Sequence, residues 1–265
     1  MADSVTIWSA EECRIYLPTP KPSDNKYRRG VLTCITGSNS YPGAALLTTD
    51  AALSTGLGMV RYLGPRMVRN AVIQNRPEIV VKAGKCDAYL IGSGIPKQIS
   101  IFTRFRIFKA LREHKPLVID AGALKFIKST GKLTVITPHI GELSKLISVS
   151  AELISQNPVE YATYTAQKFN VTVLLKGHET IVANKNRVIK LPPATSWLAT
   201  AGTGDVLAGI LGGLVALNHQ IVTDENLIEI SATASLIHAK CAIDEPLHLN
   251  EMISRIPQVV VGLSA

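Results

Sequence analysis

The run Ala199-Thr200-Ala201-Gly202-Thr203-Gly204-Asp205-Val206-Leu207-Ala208-Gly209 concentrates more potential chemistry than any other segment of the chain. Small residues lead up to one carboxylate, and an apolar stretch that reads as a helix, Val206 to Leu217, follows at once. Glycine lets the backbone turn tightly and approach a ligand with no Cβ in the way. The first N–H groups of a helix lack an internal partner and face whatever lies in front of them, and phosphate is a common guest there. An aspartate at that place would repel phosphate. It makes sense if it takes the proton from a hydroxyl that attacks the phosphate. Simple N-terminal capping after a glycine-rich turn accounts for the same residues, so this segment alone leaves both readings open.

Three further side chains follow apolar runs. Lys176 comes after Val171 to Leu175 and before Gly177; it suits a phosphate as a point charge, and it equally suits an ordinary strand exit. His139 lies between Pro138 and Gly141-Glu142, either as an exposed first-turn residue or with its ring offered to a ligand. Asp120 stands beside Ala121-Gly122, where a carboxylate organises water or Mg²⁺, or caps the next helix.

Such positions need a scaffold that brings strand ends together. Continuous apolar and β-branched runs predict strands at Val31–Thr36, Met59–Leu63, Ile79–Lys82, Ala88–Ile91, Leu117–Asp120, Thr134–Thr137 and Val171–Leu175. Helices are expected at Ala44–Gly56, Ile101–Glu113, Glu142–Ile147, Pro158–Phe169, Val206–Leu217 and Asn226–Ala242. Thr180–Ala183 and Arg187–Leu191 read as a hairpin around Asn184-Lys185-Asn186. A capping-box pattern, Ser9-Ala10-Glu11-Glu12, predicts a short helix ending before Pro18, and Pro18 to Asp24 reads as a connector. Alternating strands and helices mean an α/β fold: a mostly parallel central sheet with helices on both faces, in three αβα layers. Ligands gather at the carboxyl ends of such strands. The loops Gly37 to Gly43, Gly92-Ser93-Gly94, Asp120-Ala121-Gly122, Pro138-His139 and Lys176-Gly177-His178 all follow strands, so they should share one rim.

Composition removes whole classes. The 265 residues are 46% hydrophobic and 18% charged, enough for a large core and against global disorder. No apolar run approaches the roughly 20 residues of a bilayer span, and the N-terminus lacks a signal-peptide pattern. Four scattered cysteines without a Cys-x-x-Cys pair speak against zinc and disulfides and fit a cytoplasmic location. The net charge of +8 suggests anionic partners; with no basic tail or RNA-binding aromatic motif, nucleotides are favoured over nucleic acid. P-loop, Rossmann, nucleophile-elbow and His-Glu-x-x-His signatures are all absent from the sequence. No metal ligand set is expected.

The loops together resemble the ADP/ATP-dependent NAD(P)H-hydrate dehydratases, a branch of the ribokinase-like superfamily. The matching segments, over roughly residues 25 to 240, are Thr36-Gly37-Ser38, Tyr41 to Ala45, Arg76-Pro77-Glu78, Ile91 to Gly94, Asp120-Ala121-x-Ala123-Leu124, Thr137 to Glu142, Leu174 to Gly177 and Ala199 to Gly209. The resemblance implies a ribokinase-like fold and nucleotide-driven repair of hydrated NADH and NADPH: phosphorylation of the ring hydroxyl, then loss of phosphate. It implies Asp205 as catalytic base. It places Ala44, Gly94, His139 and Asp205 on the hydrated dinucleotide, and Lys176, Gly177, His178, Glu179, Thr180, Gly202, Thr203 and Gly204 on the adenine nucleotide. Mg²⁺ with ADP or ATP is implied, ADP as the favoured donor, and a homo-oligomer, commonly a tetramer. Three positions depart from the pattern. Asp-Ala-Asp reads Asp120-Ala121-Gly122 and loses a carboxylate; Gly-Gly-Thr-Gly-Asp begins with Ala201; Gly-Pro-Gly reads Gly92-Ser93-Gly94.

A single catalytic domain over 1–265 is therefore expected, with 1–25 as N-terminal helix and connector, without the epimerase domain fused to some relatives. Alternatives are a ribokinase-like kinase of a hydroxymethylpyrimidine or hydroxyethylthiazole type, a non-catalytic nucleotide-binding relative, and a basic nucleic-acid-binding module.

Overall fold

A computed structural model describes residues 5–129 and 133–265; the sequence reading over Met1 to Ser4 lies outside them. Nine strands form one sheet: β1 (Val5–Ile7), β2 (Val31–Ile35), β3 (Met59–Tyr62), β4 (Ala88–Ile91), β5 (Leu117–Ile119), β6 (Thr134–Ile136), β7 (Thr172–Leu175), β8 (Ile181–Ala183) and β9 (Val188–Lys190). Their order is β1-β9-β8-β7-β6-β5-β4-β2-β3. All pairings are parallel except β7 with β8 and β8 with β9. The hairpin is thus present, and it adds an antiparallel end to a parallel sheet.

Apart from the edge strand β1, the strands are buried on both faces, as their unbroken apolar runs require. In β2, Leu32 and Cys34 belong to one core and Val31 and Ile35 to the other. Above the first face lie helices α1 (Pro42–Ser54), α7 (Thr203–Leu217), α8 (Leu227–Cys241) and α9 (Leu249–Ser264); below the second lie α3 (Ile101–Arg112), α4 (Ile140–Ile147), α5 (Ala151–Gln156) and α6 (Pro158–Phe169). Helix α2 (Arg66–Asn75) follows β3. These are the three layers anticipated. Cys13, Cys34, Cys86 and Cys241 are all free and buried, and none of the helices among the described residues is long and apolar enough to cross a membrane.

Several expectations need correction. Ile79–Lys82 is not a strand; only Val80 bridges to Arg61 of β3. The Arg61 guanidinium takes the carbonyls of Lys82 and Lys85 at 3.0 and 3.2 Å, which draws the chain from Lys82 onward out of the ladder. The Ser9 segment forms a 3₁₀ turn over Glu12–Tyr16 rather than an α-helix. Half of the capping arrangement is there: the Ser9 amide and hydroxyl both donate to Glu12 Oε2, at 2.7 and 2.8 Å. Four strands and α-helices escaped the pattern reading, one of them the six-residue α5. β1 is three residues long and only half-covered at the sheet edge, α2 begins inside an arginine-rich stretch, and α9 contains Pro257.

The position of the Asp205 segment depends on the α1–α7 contact. Helix α1 offers small residues along its buried face, among them Ala44, Ala45, Thr48, Ala51 and Ala52. Helix α7 answers with Gly209, whose missing side chain would stand 2.5 Å from the Thr48 carbonyl oxygen and 2.8 Å from Ala51 Cβ. The two backbones therefore touch, and both helices begin at the same rim. In an exposed helix Gly→Ala stabilises by roughly 0.5–1 kcal/mol; here overpacking of about 1–3 kcal/mol reverses the sign. Gly209→Ala is expected to lower Tm by several degrees in a thermal melt. A raised Tm would show that α1 yields without cost.

Candidate functional site

Asp120 is the centre of the rim. It is 2% exposed and its two oxygens accept three side-chain bonds. Ser93 Oγ donates to Oδ2 at 2.8 Å, Thr137 Oγ1 to Oδ1 at 2.7 Å and Lys176 Nζ to Oδ1 at 3.0 Å. One buried carboxylate thus joins the loops that leave β4, β5, β6 and β7. An unpaired charge at that depth would be very costly, so the lysine and both hydroxyls are held where they are.

The next layer belongs to Glu142, which the sequence reading left without a role. It closes a capping box at the start of α4: the His139 amide donates to Glu142 Oε2 at 2.9 Å, and the Gly141 amide donates to His139 Nδ1 at 3.1 Å. Glu142 Oε2 also lies 3.8 Å from Lys176 Nζ and 3.6 Å from His139 Nε2. The local signal was an acidic residue three positions after the N-cap, with histidine in place of the usual serine or threonine. Backbone pairing joins the two loops: Lys176 and His139 form a parallel bridge, and the Lys176 amide donates to Pro138 O at 2.9 Å. Burial alone would pull the Lys176 pKa down, but Asp120, Glu142 and Asp205 together raise it. The ammonium is therefore fixed as a cation.

Gly202 has φ +95 and starts α7 with no side-chain cap, leaving the first amides of that helix open to a ligand. Asp205 sits in this first turn, half-buried. Burial, then the charge of Asp120, push its carboxyl from 3.8 to about 6, against the pull of Lys176. Behind it, buried His238 places Nε2 2.9 Å from Thr203 O. Burial and Lys176 hold its ring near pKa 4, against the bond to Thr203, so the imidazole is neutral and donates to that carbonyl.

Beside these groups opens a cavity of about 430 Å³. Lys176, Gly177, His178, Thr180, Thr203 and Gly204 line it, as does the His139 ring, which the sequence reading had assigned to the dinucleotide. Leu191, Leu198 and Leu207 supply an apolar wall, and Ser235 brings a buried hydroxyl without a partner among the described residues. Glu179 does not line it; it pairs with Lys190 at 3.1 Å on the surface. Gly202 lies just behind it, against Leu249 and Leu47. Ala44 and Gly94 meet elsewhere on the rim: a Cβ on Gly94 would stand 2.5 Å from that of Ala44. Ala44 is 6% exposed, so these two shape the floor and leave polar contact to others.

The Gly122 departure has a structural counterpart. A Cβ there would lie 1.9 Å from the Ile95 carbonyl oxygen. The loop after β4 occupies the space that an aspartate side chain would leave from, and Asp120 stands as the carboxylate of this turn.

A family model described as NAD(P)H-hydrate dehydratase matches residues 32–254. The bifunctional NAD(P)H-hydrate repair enzyme Nnr of Mycobacterium leprae is 32% identical over 276 residues, covering 96% of this chain and 56% of that protein. Its counterpart in Mycobacterium tuberculosis H37Rv is 35% identical over 212 residues, 75% of this chain and 43% of that protein. The chain spans about half the length of these curated relatives. The ADP/ATP-dependent NAD(P)H-hydrate dehydratase of Bacillus subtilis, co-crystallized with ATP/Mg²⁺, superposes with TM-score 0.85 at 25% identity, over 99% of this chain and 100% of that one. A ribokinase-like protein of Enterococcus faecalis (TM-score 0.84, 22% identity, 98% and 96% coverage) shares the fold. So does a Pyrococcus horikoshii hydroxyethylthiazole kinase (0.62, 19%, 95% and 92%).

Asp205 is protonated more readily folded than unfolded, so its contribution to stability is complete below about pH 4 and lost as pH rises through 6. Asp205→Asn removes a penalty of up to about 3 kcal/mol above pH 6. Melts at pH 8 should show the variant more stable than the parent, with the gap closing at pH 4. Equal Tm at both pH values would mean that the carboxylate is not desolvated.

Proposed function

The chain belongs to the NAD(P)H-hydrate dehydratase family, and we propose that it dehydrates hydrated NADH and NADPH, driven by ADP or ATP. The observation that carries this reading is the Asp205 carboxylate, poised near pKa 6 beside uncapped helix amides and the paired Lys176. A base of that strength is matched to removing a proton near neutral pH.

The chemistry follows from leaving groups. Hydroxide leaves a carbon poorly and phosphate leaves well. Asp205 takes the proton of the ring hydroxyl as its oxygen attacks the terminal phosphorus of the nucleotide, and the shortened nucleotide departs. The ring nitrogen's lone pair then expels phosphate, and loss of a proton from the adjacent ring carbon restores the double bond. Lys176 and the amides at Gly204 and Asp205 bear the charge that builds on the transferring group. The adenine nucleotide occupies the 430 Å³ cavity: phosphates at Lys176 and the α7 amides, base against the leucine wall, where Ser235 offers a buried hydroxyl.

Among the described residues no three His, Cys, Asp or Glu side chains form a metal cage. Magnesium binds through one or two carboxylates together with substrate phosphates. Asp120 spends both oxygens on protein donors, whereas the contacts of Glu142 given above all use Oε2. These residues fit an ion that arrives on the nucleotide, with Glu142 as its protein carboxylate. When bound, the ion would neutralise phosphate charge.

The test is recovery of reduced-nicotinamide absorbance from hydrated NADH with Mg²⁺ and either ADP or ATP. Recovery with one nucleotide names the donor; binding without recovery would sink the reading. Asp205→Asn should lower kcat by about 10²–10⁴-fold while nucleotide affinity stays within about tenfold. The carboxylate must be ionised to act, so kcat/KM of the parent should fall with unit slope below about pH 6. A flat profile from pH 5 to 8 would assign the base elsewhere.

A further inference from the structure

The rim carries a second cavity, of about 560 Å³, at the opposite end of the sheet from the first. Its walls come from the loops that leave β2, β3 and β4, through Gly37 to Ser40, Pro65 and Ile95, and from the first turns of α2 and α3. It shares no lining residue with the first cavity. Its near edge lies at the Gly94–Ala44 contact: a Cβ on Gly94 would lie 2.5 Å from Ala44 Cβ and 3.2 Å from Gly37 Cα. Asp120, at the end of β5, thus lies between the β4 loop that walls this cavity and the β7 loop that walls the first.

This second cavity is cationic and unbalanced. Arg66, Arg69 and Arg106 line it, and no acidic residue does. Arg106 Nη1 donates to the carbonyls of Leu63 and Gly64 at 2.8 and 3.1 Å, and Arg69 Nε to Gly64 O at 3.3 Å. These acceptors orient the guanidinium groups without neutralising them. Burial and the charge of Arg69 pull the Arg106 pKa down, the sign of cations held together without a counter-ion. The N-termini of α2 and α3 add partial positive charge at the same walls. Phe102, also on the wall, is 73% exposed and offers an aromatic face.

We propose that this cavity binds the phosphate-bearing half of the dinucleotide, with the pyrophosphate on Arg66, Arg69 and Arg106 and the adenine base against Phe102. The assignment rests on the dehydratase reading and names the substrate contacts that it leaves open. Arginine forks match phosphate oxygens in pairs, and an adenine base stacks on an exposed ring. The hydrated ring then reaches Asp205 over the Gly94–Ala44 floor, while the phosphoryl donor arrives from the other cavity. The arginines are positioning groups: they hold the far end of the substrate and touch no reacting atom.

The experiment uses ADP-ribose, which carries the pyrophosphate and adenosine but no nicotinamide. It is titrated calorimetrically into the chain saturated with AMP-PNP and Mg²⁺. The variants are Arg66→Ala/Arg69→Ala and Arg66→Glu; Arg66 is exposed and no hydrogen bond or ion pair holds its side chain among the described residues, so its replacement leaves the fold alone. At least tenfold weaker ADP-ribose binding is expected in both, with AMP-PNP affinity unchanged. In turnover, KM for hydrated NADH should rise at least tenfold and kcat stay within twofold. KM for hydrated nicotinamide mononucleotide, which keeps only one of the two phosphates and no adenosine, should rise less. No ADP-ribose binding by the parent, or equal binding by parent and variants, overturns the assignment. Arginine-dependent ADP-ribose binding by a parent that never restores reduced nicotinamide supports the cavity and overturns the dehydratase reading. Turnover whose KM ignores the arginines does the reverse.

Discussion

The carboxylate of Asp120 holds the working end of this molecule together. It lies at the end of β5, near the middle of the sheet, and draws one donor each from the loops after β4, β6 and β7. Each bond to a buried charged acceptor is worth about 1.5–3 kcal/mol, and the cost of leaving that charge unmet is larger. Four loops are therefore registered against one another by a single residue. The same charge acts at a distance: it raises Asp205 and, with Glu142, keeps Lys176 protonated. A structural anchor and an electrostatic tuner are one side chain, and neither role requires it to touch a ligand.

Helix α7 carries the opposite logic. Its body is nearly all buried, and its close fit on α1 leaves no slack. Its first turn is left without a cap and bears a carboxylate that burial disfavours. Stability supplied along the helix thus supports local cost at its tip, the usual arrangement when a reactive group must be aimed. Neutral His238 braces the tip by holding the Thr203 carbonyl without adding charge to the site.

Much of this was legible in the chain. The parallel sheet followed from runs such as Val31–Ile35, which are apolar on both faces, and the rim followed from the loops that end them. Asp205 and Lys176 stood out because glycines flank them. Asp120 was visible but ambiguous, since a carboxylate at a strand end looks alike whether it caps a helix or collects donors from distant loops. Glu142 was hidden by a histidine N-cap. Ile79–Lys82 misled because its three apolar residues resemble a strand, whereas Arg61 takes the carbonyls of Lys82 and Lys85 away from the ladder. The arginine cavity was not readable at all. Arg66 and Arg69 share a helix, but Arg106 joins them only because β3 and β4 flank β2, a fact of topology and not of spacing.

The cysteines carry one more consequence. Burial is the first cause that pushes all four thiols up, Cys241 to about 12. A thiol that stays protonated is a poor nucleophile towards peroxide or alkylating agents. The groups gathered around Asp205 are carboxylates, an ammonium and backbone amides, none of which mild oxidants attack readily. The site's own groups should therefore survive without added reductant, in surroundings where exposed thiolates are lost.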